Sequence, residues 1–126
     1  MTGIVIVCHS EKLAEGVKDI IQMMASEVPV ALAGGHVDGT YGVCVSKVRS
    51  AFKEMRIVDN ALIFVDLGSA LTVVEDVLGE FPAGKFEIMD CPLVEGAVGA
   101  AVVASGGAPL KDVIRIARET RNAFKF

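Results

Sequence analysis

The chain has 126 residues, a length that suits one domain and lets roughly two-thirds of the unfolded chain's surface be buried. Hydrophobic residues make up 52%, ample for a core, and the net charge of −4 argues against nucleic acid as the main partner, because a phosphate backbone calls for a basic surface. The longest apolar run, Ala97 to Ala104, is too short and too glycine-bearing to cross a bilayer, so no membrane insertion is expected. No basic stretch precedes Ile4–Val7, which is too short for a signal peptide. Three cysteines, Cys8, Cys44 and Cys91, lack CxxC spacing. Together these features predict a cytoplasmic protein with free thiols.

Ile4–Val7 is a continuous β-branched run, the pattern of a strand buried on both faces. It ends in Cys8-His9-Ser10. Ser10 is a good N-cap, and Leu13, Val17, Ile20, Ile21 and Met24 recur at helical spacing. Val28–Leu32 reads as a second strand with Pro29 near its start. The loop Ala33–Gly42 follows, carrying Gly34, Gly35, Gly39, Gly42 and Asp38, and such a loop lets backbone approach a ligand. Val45, Val48, Phe52 and Met55 outline a second helix, and Ala61–Val65 a third strand. That strand runs into Asp66-Leu67-Gly68-Ser69-Ala70, with Ser69 placed to cap a helix through Val73, Val74, Val77 and Leu78. Phe86–Met89 is a short fourth strand. Leu93–Ala104 reads as a helix apolar almost all round, buried in the core or in a two-fold interface. Gly106-Gly107 stops it, and Pro109 opens a last amphipathic helix with Leu110, Val113, Ile114, Ala117 and Phe124. Its basic residues, Lys111, Arg115, Arg118, Arg121 and Lys125, read as a solvated face.

Strands alternating with helices predict an α/β fold, a doubly wound, mostly parallel sheet with helices on both faces, filling residues 1–126 as a single domain. In the order 2-1-3-4 the first strand lies between the second and third, and the switch point falls at His9. Asp66 then lies on one side of His9 and the glycine loop on the other. An aspartate on one ring nitrogen fixes the tautomer and leaves the other nucleophilic. Helix starts at Ser10 and Ser69 would direct N–H groups at the same spot, which favours an anion. The arrangement suits phosphoryl transfer, where catalysis is mostly positioning and charge stabilisation. His9 and Asp66 are the candidate catalytic residues; Ser10, Gly34, Gly35, Gly68 and Ser69 are the candidate phosphoryl-stabilising ones. His36 reads as a loop residue rather than a second base, and Glu95 as a complement to a helix dipole. Cys8, Cys91, His9 and His36 have none of the usual zinc spacings, so no metal is expected. The loop matches neither Walker A nor GxGxxG, so no directly bound cofactor is expected.

IVIVCHSEKLAEG, AGG-x-x-DG-x-x-G, FVDLGSALT and DCPLVEGAVGAA resemble the phosphocarrier subunits of phosphotransferase-dependent dihydroxyacetone kinases, whose first domain is a mannose-family IIA domain of the sugar phosphotransferase system. The resemblance covers nearly the whole chain. It implies that His9 accepts a phosphoryl group from phospho-HPr and passes it to ADP held on the kinase's nucleotide-binding subunit. It implies that Asp66 orients the histidine, that the protein is a homodimer, and that this is the single-domain form. Two positions depart from the family pattern, Cys8 where serine is common, and Val43-Cys44 where a threonine follows the glycine. The alternatives are a mannose-type IIA component that passes phosphate to a IIB sugar-transporter component, and a regulatory module that senses phosphorylation. A small-molecule binding domain is a further rival.

Overall fold

The computed structural model describes residues 1–126. Four strands, β1 (Thr2–Cys8), β2 (Val30–Gly34), β3 (Asn60–Val65) and β4 (Phe86–Met89), form one sheet. All pairings are parallel, as the alternation of elements predicts, and the order is β2-β1-β3-β4, the one expected of a doubly wound sheet. Five helices join and cover them: α1 (Glu11–Met24), α2 (Val45–Glu54), α3 (Leu71–Leu78), α4 (Leu93–Ser105) and α5 (Leu110–Glu119).

Alternation along the central strands divides the core in two. Ile4, Ile6, Leu62 and Phe64 pack under α1, α4 and α5. Val5, Val7 and Ile63 face α2 and α3 on the other side. Every residue of β1 is buried, because helices cover both of its faces. Phe52 stacks on Phe86 at 4.6 Å between ring centroids, and Phe81 meets Phe52 edge-on at 5.5 Å. Such pairs add about 0.5–1.5 kcal/mol beyond their area. Gly96, Ala97, Ala100, Ala101 and Ala104 form the buried face of α4. Core burial accounts for that face, while Val94 and Val102 look outward. No helix is long and apolar enough to cross a membrane.

Three elements differ from the sequence expectation. β2 starts at Val30, two residues late, and extends through Ala33 and Gly34, which were expected in the loop. Pro29 precedes it, and its carbonyl accepts the N–H of Ile4 at 2.9 Å. Residues as small as Ala33 and Gly34 continue the strand because α1 passes close by: a Cβ at Gly34 would lie 2.7 Å from the Ser10 carbonyl oxygen. Ser69 is not a helix cap; Gly68–Ala70 is a tight 3₁₀ turn and α3 begins at Leu71. The last helix ends at Glu119, where the Thr120 hydroxyl donates to the Ala117 carbonyl at 2.6 Å. Phe124 therefore lies outside it, exposed.

Candidate functional site

β1 delivers His9 to the carboxyl edge of the sheet, between the ends of β2 and β3. Register pairs Val7 with Val65, so Asp66 emerges beside the histidine. The Asp66 carboxylate accepts the backbone N–H of His9 at 3.0 Å and that of Leu67 at 2.7 Å. Its two oxygens also lie 3.0 and 3.1 Å from His9 Nδ1. An ionised carboxylate only accepts, so Nδ1 carries the proton and Nε2 keeps its lone pair. Ser69 Oγ lies 3.0 Å from Nε2 and donates to it. The imidazole side chain is 29% exposed, against 13% for the aspartate, so the edge bearing Nε2 is the accessible one. Burial opposes ionisation of Asp66, but the hydrogen bonds from His9 and Leu67 outweigh it and hold the carboxyl below its ordinary range.

The other expected residues surround this pair with different tasks. Ser10 caps α1, its hydroxyl accepting the Leu13 N–H at 3.3 Å. The Gly35 N–H is committed to the Cys8 carbonyl at 3.1 Å, and Gly34 packs against the first turn of α1. These two glycines thus close the β1–β2 edge, a role distinct from the phosphoryl contact expected of them. Gly35, Gly39 and Gly42 do adopt positive φ angles of 66°, 85° and 136°, which the loop between β2 and α2 needs. Through that loop the Gly42 N–H donates to the His9 carbonyl at 3.0 Å. Gly68 and Ser69 stand in the turn after Asp66, and neither N–H is donated to a turn or loop carbonyl. His36 lies against Gly42, half-buried, away from the Asp66 side. Glu95 is in the first turn of α4, 3.1 Å from Lys125. No three His, Cys, Asp or Glu side chains converge on a metal-binding set.

Three features had little sequence signal. The Ser69 contact depends on a turn geometry that a helix-cap reading does not foresee. Lys47 donates to the Gly34 carbonyl at 2.9 Å and lies 3.8 Å from Glu11, tying α2 to the end of β2. Cys44, at the start of α2, has its thiol held down at about 6 by hydrogen bonds from the Ser46 hydroxyl and the Lys47 N–H, with His36 adding to them. Burial instead pushes the Cys8 thiol up; it bonds the Ser10 carbonyl at 3.1 Å inside the turn that presents His9.

Against the first turn of α1 lies a cleft of about 400 Å³ lined by Ser10, Glu11, Lys12, Glu15, Gly39 and Tyr41; His9 itself does not line it. Only Tyr41 among them is apolar, unlike the lining of an enclosing small-molecule pocket.

Residues 3–114 match the family model of the PTS system fructose IIA component. The phosphotransferase subunit DhaM of the PTS-dependent dihydroxyacetone kinase of Lactococcus lactis is 35% identical over 88% of this chain and 89% of its own length. The phosphoryl donor subunit DhaM of the Escherichia coli PEP-dependent dihydroxyacetone kinase is 35% identical over 90% of this chain, which spans only 26% of that protein. Among solved structures, the protein of unknown function EF1359 superposes with a TM-score of 0.84 at 29% identity, covering 100% of this chain and 98% of that one. A phosphotransferase system component EIIA from Streptococcus agalactiae gives 0.71 at 18% identity over 97% and 93% of the two chains, a likeness of fold.

Proposed function

The chain belongs to the family of PTS system fructose IIA components, the mannose-type IIA domains, on its DhaM branch, and on that premise we propose that it is a phosphohistidine carrier that takes a phosphoryl group from phospho-HPr onto His9 and delivers it to ADP bound on the nucleotide-binding subunit of a dihydroxyacetone kinase. The observation that carries this reading is the division of labour on one imidazole: Nδ1 faces both oxygens of Asp66 at 3.0 and 3.1 Å, and Nε2 faces a hydroxyl at the exposed edge.

Neutral His9 attacks through Nε2. The new N–P bond forms as the N–P bond of the donor breaks, and the donor histidine leaves neutral. Positive charge developing on the ring is stabilised by Asp66 through the Nδ1 proton. The Ser69 hydroxyl, which donates to Nε2 in the resting protein, turns to donate to a phosphoryl oxygen. The Gly68 and Ser69 N–H groups supply further donors to the incoming anion. Ser10 contributes indirectly by holding the first turn of α1. The second transfer reverses the sequence, with a phosphate oxygen of ADP as the attacking atom, and returns His9 to its starting state. No cofactor binds this chain in the scheme; the nucleotide stays on the partner. Donor and acceptor are both cytoplasmic species, and the protein works there as a homodimer.

Offering the phosphorylated protein to two acceptors tests the assignment. With the kinase nucleotide-binding subunit loaded with ADP, the phosphate leaves His9 and ATP forms. Transfer to a IIB sugar-transporter component instead would overturn it in favour of the sugar branch, and retention of phosphate against both acceptors would make the chain a phosphorylation sensor.

A further inference from the structure

We infer that His36 is a positioning residue for phosphoryl transfer, its imidazole lodged against Gly42 and holding in place the N–H that fixes the His9 carbonyl, an inference that rests on the phosphocarrier reading above. The main chain of His9 is clamped from two sides. Its N–H donates to Asp66 Oδ2 at 3.0 Å, and its carbonyl accepts the Gly42 N–H at 3.0 Å. The carboxylate that takes the N–H also takes Nδ1, so a shift of this peptide shifts the ring against Asp66. Asp66 supplies one clamp, and the loop between β2 and α2 supplies the other.

Within that loop one side chain turns inward. Val37 to Tyr41 are all exposed, whereas His36 is half-buried. Residues 36–40 close into a turn of their own. The His36 N–H donates to the Thr40 carbonyl at 2.8 Å, the Gly39 N–H to the His36 carbonyl at 3.0 Å, and Asp38 accepts the Thr40 hydroxyl at 2.7 Å. None of these bonds reaches Gly42. The imidazole does: a Cβ added at Gly42 would collide with His36 Nε2 and lie 2.9 Å from its Cδ2. The same ring adds to the groups that hold the Cys44 thiol low, so it also joins the turn to the start of α2. Beyond Gly42 the chain is tied back by a parallel bridge between Gly35 and Val43. Removing the ring therefore loosens the clamp without releasing the whole loop.

Glycine and histidine are matched at this contact. Gly42, at a φ of 136°, has no side chain, so a flat ring can come directly against its backbone. No hydrogen bond joins His36 to the His9 ring, whose nitrogens face Asp66 and Ser69. His36 thus acts on the nucleophile through the Gly42 N–H. The consequence is one of pose: reacting atoms must meet at about 3–3.5 Å, and a misplacement of about 1 Å costs about a hundredfold. A clamp that is loosened, with the Asp66 clamp intact, costs less than that.

The experiment compares wild type with His36→Ala using two phosphoryl sources, phospho-HPr and phosphoramidate, a small reagent that needs no docking surface. The expected result is a kcat for phospho-HPr lower by about tenfold at unchanged KM, with phosphoramidate labelling slowed by a similar factor, because the defect lies in the pose of His9. Slowing with phospho-HPr alone, or a raised KM with kcat intact, overturns the positioning role and makes the loop a docking surface. Equal rates in the two proteins overturn it too, and a His36→Ala chain that fails to fold makes the residue a structural one. Amide exchange reads the clamp without any phosphoryl donor. In wild type the Gly42 N–H should be protected and that of Tyr41, which has no carbonyl partner, should not. Protection at Gly42 should fall in His36→Ala while the β1 amides keep theirs; free exchange at Gly42 in wild type overturns the inference. No label on wild type from either source removes the phosphocarrier reading itself, a failure distinct from loss of the clamp.

Discussion

At the scale of single residues, the pairing of His9 with Asp66 was legible because both close apolar strand runs, and the 2-1-3-4 order makes those strands neighbours. What the sequence could not reveal was which ring nitrogen Asp66 takes, since that depends on rotamers and on the backbone N–H bonds that fix the carboxylate. Ser69 was misread for a related reason: a 3₁₀ turn at Gly68–Ala70 precedes α3 and carries the hydroxyl onto Nε2 before the helix begins. Replacing Asp66 by Asn tests the pairing. The Asn amide can donate to Nδ1, which moves the proton to Nε2 and removes the nucleophile. Transfer from phospho-HPr should fall by about a hundredfold or more, the scale of acid–base positioning, as measured by single-turnover labelling. An unchanged rate would assign Asp66 only to loop shape. Stability carries a second signature. Because the folded-state value of Asp66 is depressed below its ordinary 3.8, its ionised form favours folding. That contribution is complete above the unfolded value and disappears as pH falls through the lower folded one. Wild type should therefore exceed Asp66→Asn by about 1–3 kcal/mol at pH 7, and the gap should close on acidification below about pH 4. A gap independent of pH in denaturant titrations would contradict the coupling.

Among the elements, β1, β3, β4 and α4 could be placed to within two residues because their patterns are unbroken. β2 could not, since Ala33 and Gly34 carry no strand signal of their own. They are strand residues because α1 lies too close for anything larger. At Gly34 an added Cβ would come 2.7 Å from both the Ala14 Cβ and the Ser10 carbonyl oxygen. Neither neighbour can yield cheaply: one is buried in the core, and the other belongs to the capped first turn of α1. Gly34→Ala should cost about 1–3 kcal/mol, the range for overpacking, read as a lower urea midpoint at unchanged m-value. Because the displaced turn also presents His9, labelling should slow in the same variant. Wild-type stability in Gly34→Ala would show that the contact between α1 and β2 is looser than described. The end of α5 had a similar blind spot: Phe124 continues the apolar spacing, yet the Thr120 side chain takes a helix carbonyl and the chain leaves the helix.

For the molecule as a whole, alternating strands and helices were enough to give a parallel sheet with helices on both faces; the order 2-1-3-4 came from taking that sheet as doubly wound, and the structure has it. Composition gave less about surfaces. α4 looked apolar on too many faces for a monomer, and Gly96, Ala97, Ala100, Ala101 and Ala104 turn out to be buried against the sheet and its neighbouring helices. Val94 and Val102, 38% and 40% exposed, remain for the proposed homodimer. Sedimentation at micromolar concentration should give the mass of two chains; a single 13.2 kDa species would confine α4 to its core role. The central claim is that His9 alone receives the phosphoryl group, and intact-protein mass after incubation with phosphoenolpyruvate, enzyme I and HPr tests it most directly. One acid-labile phosphate should appear on wild type and none on His9→Ala. Phosphate on the His9→Ala protein, or none on wild type beside fully phosphorylated HPr, would contradict it.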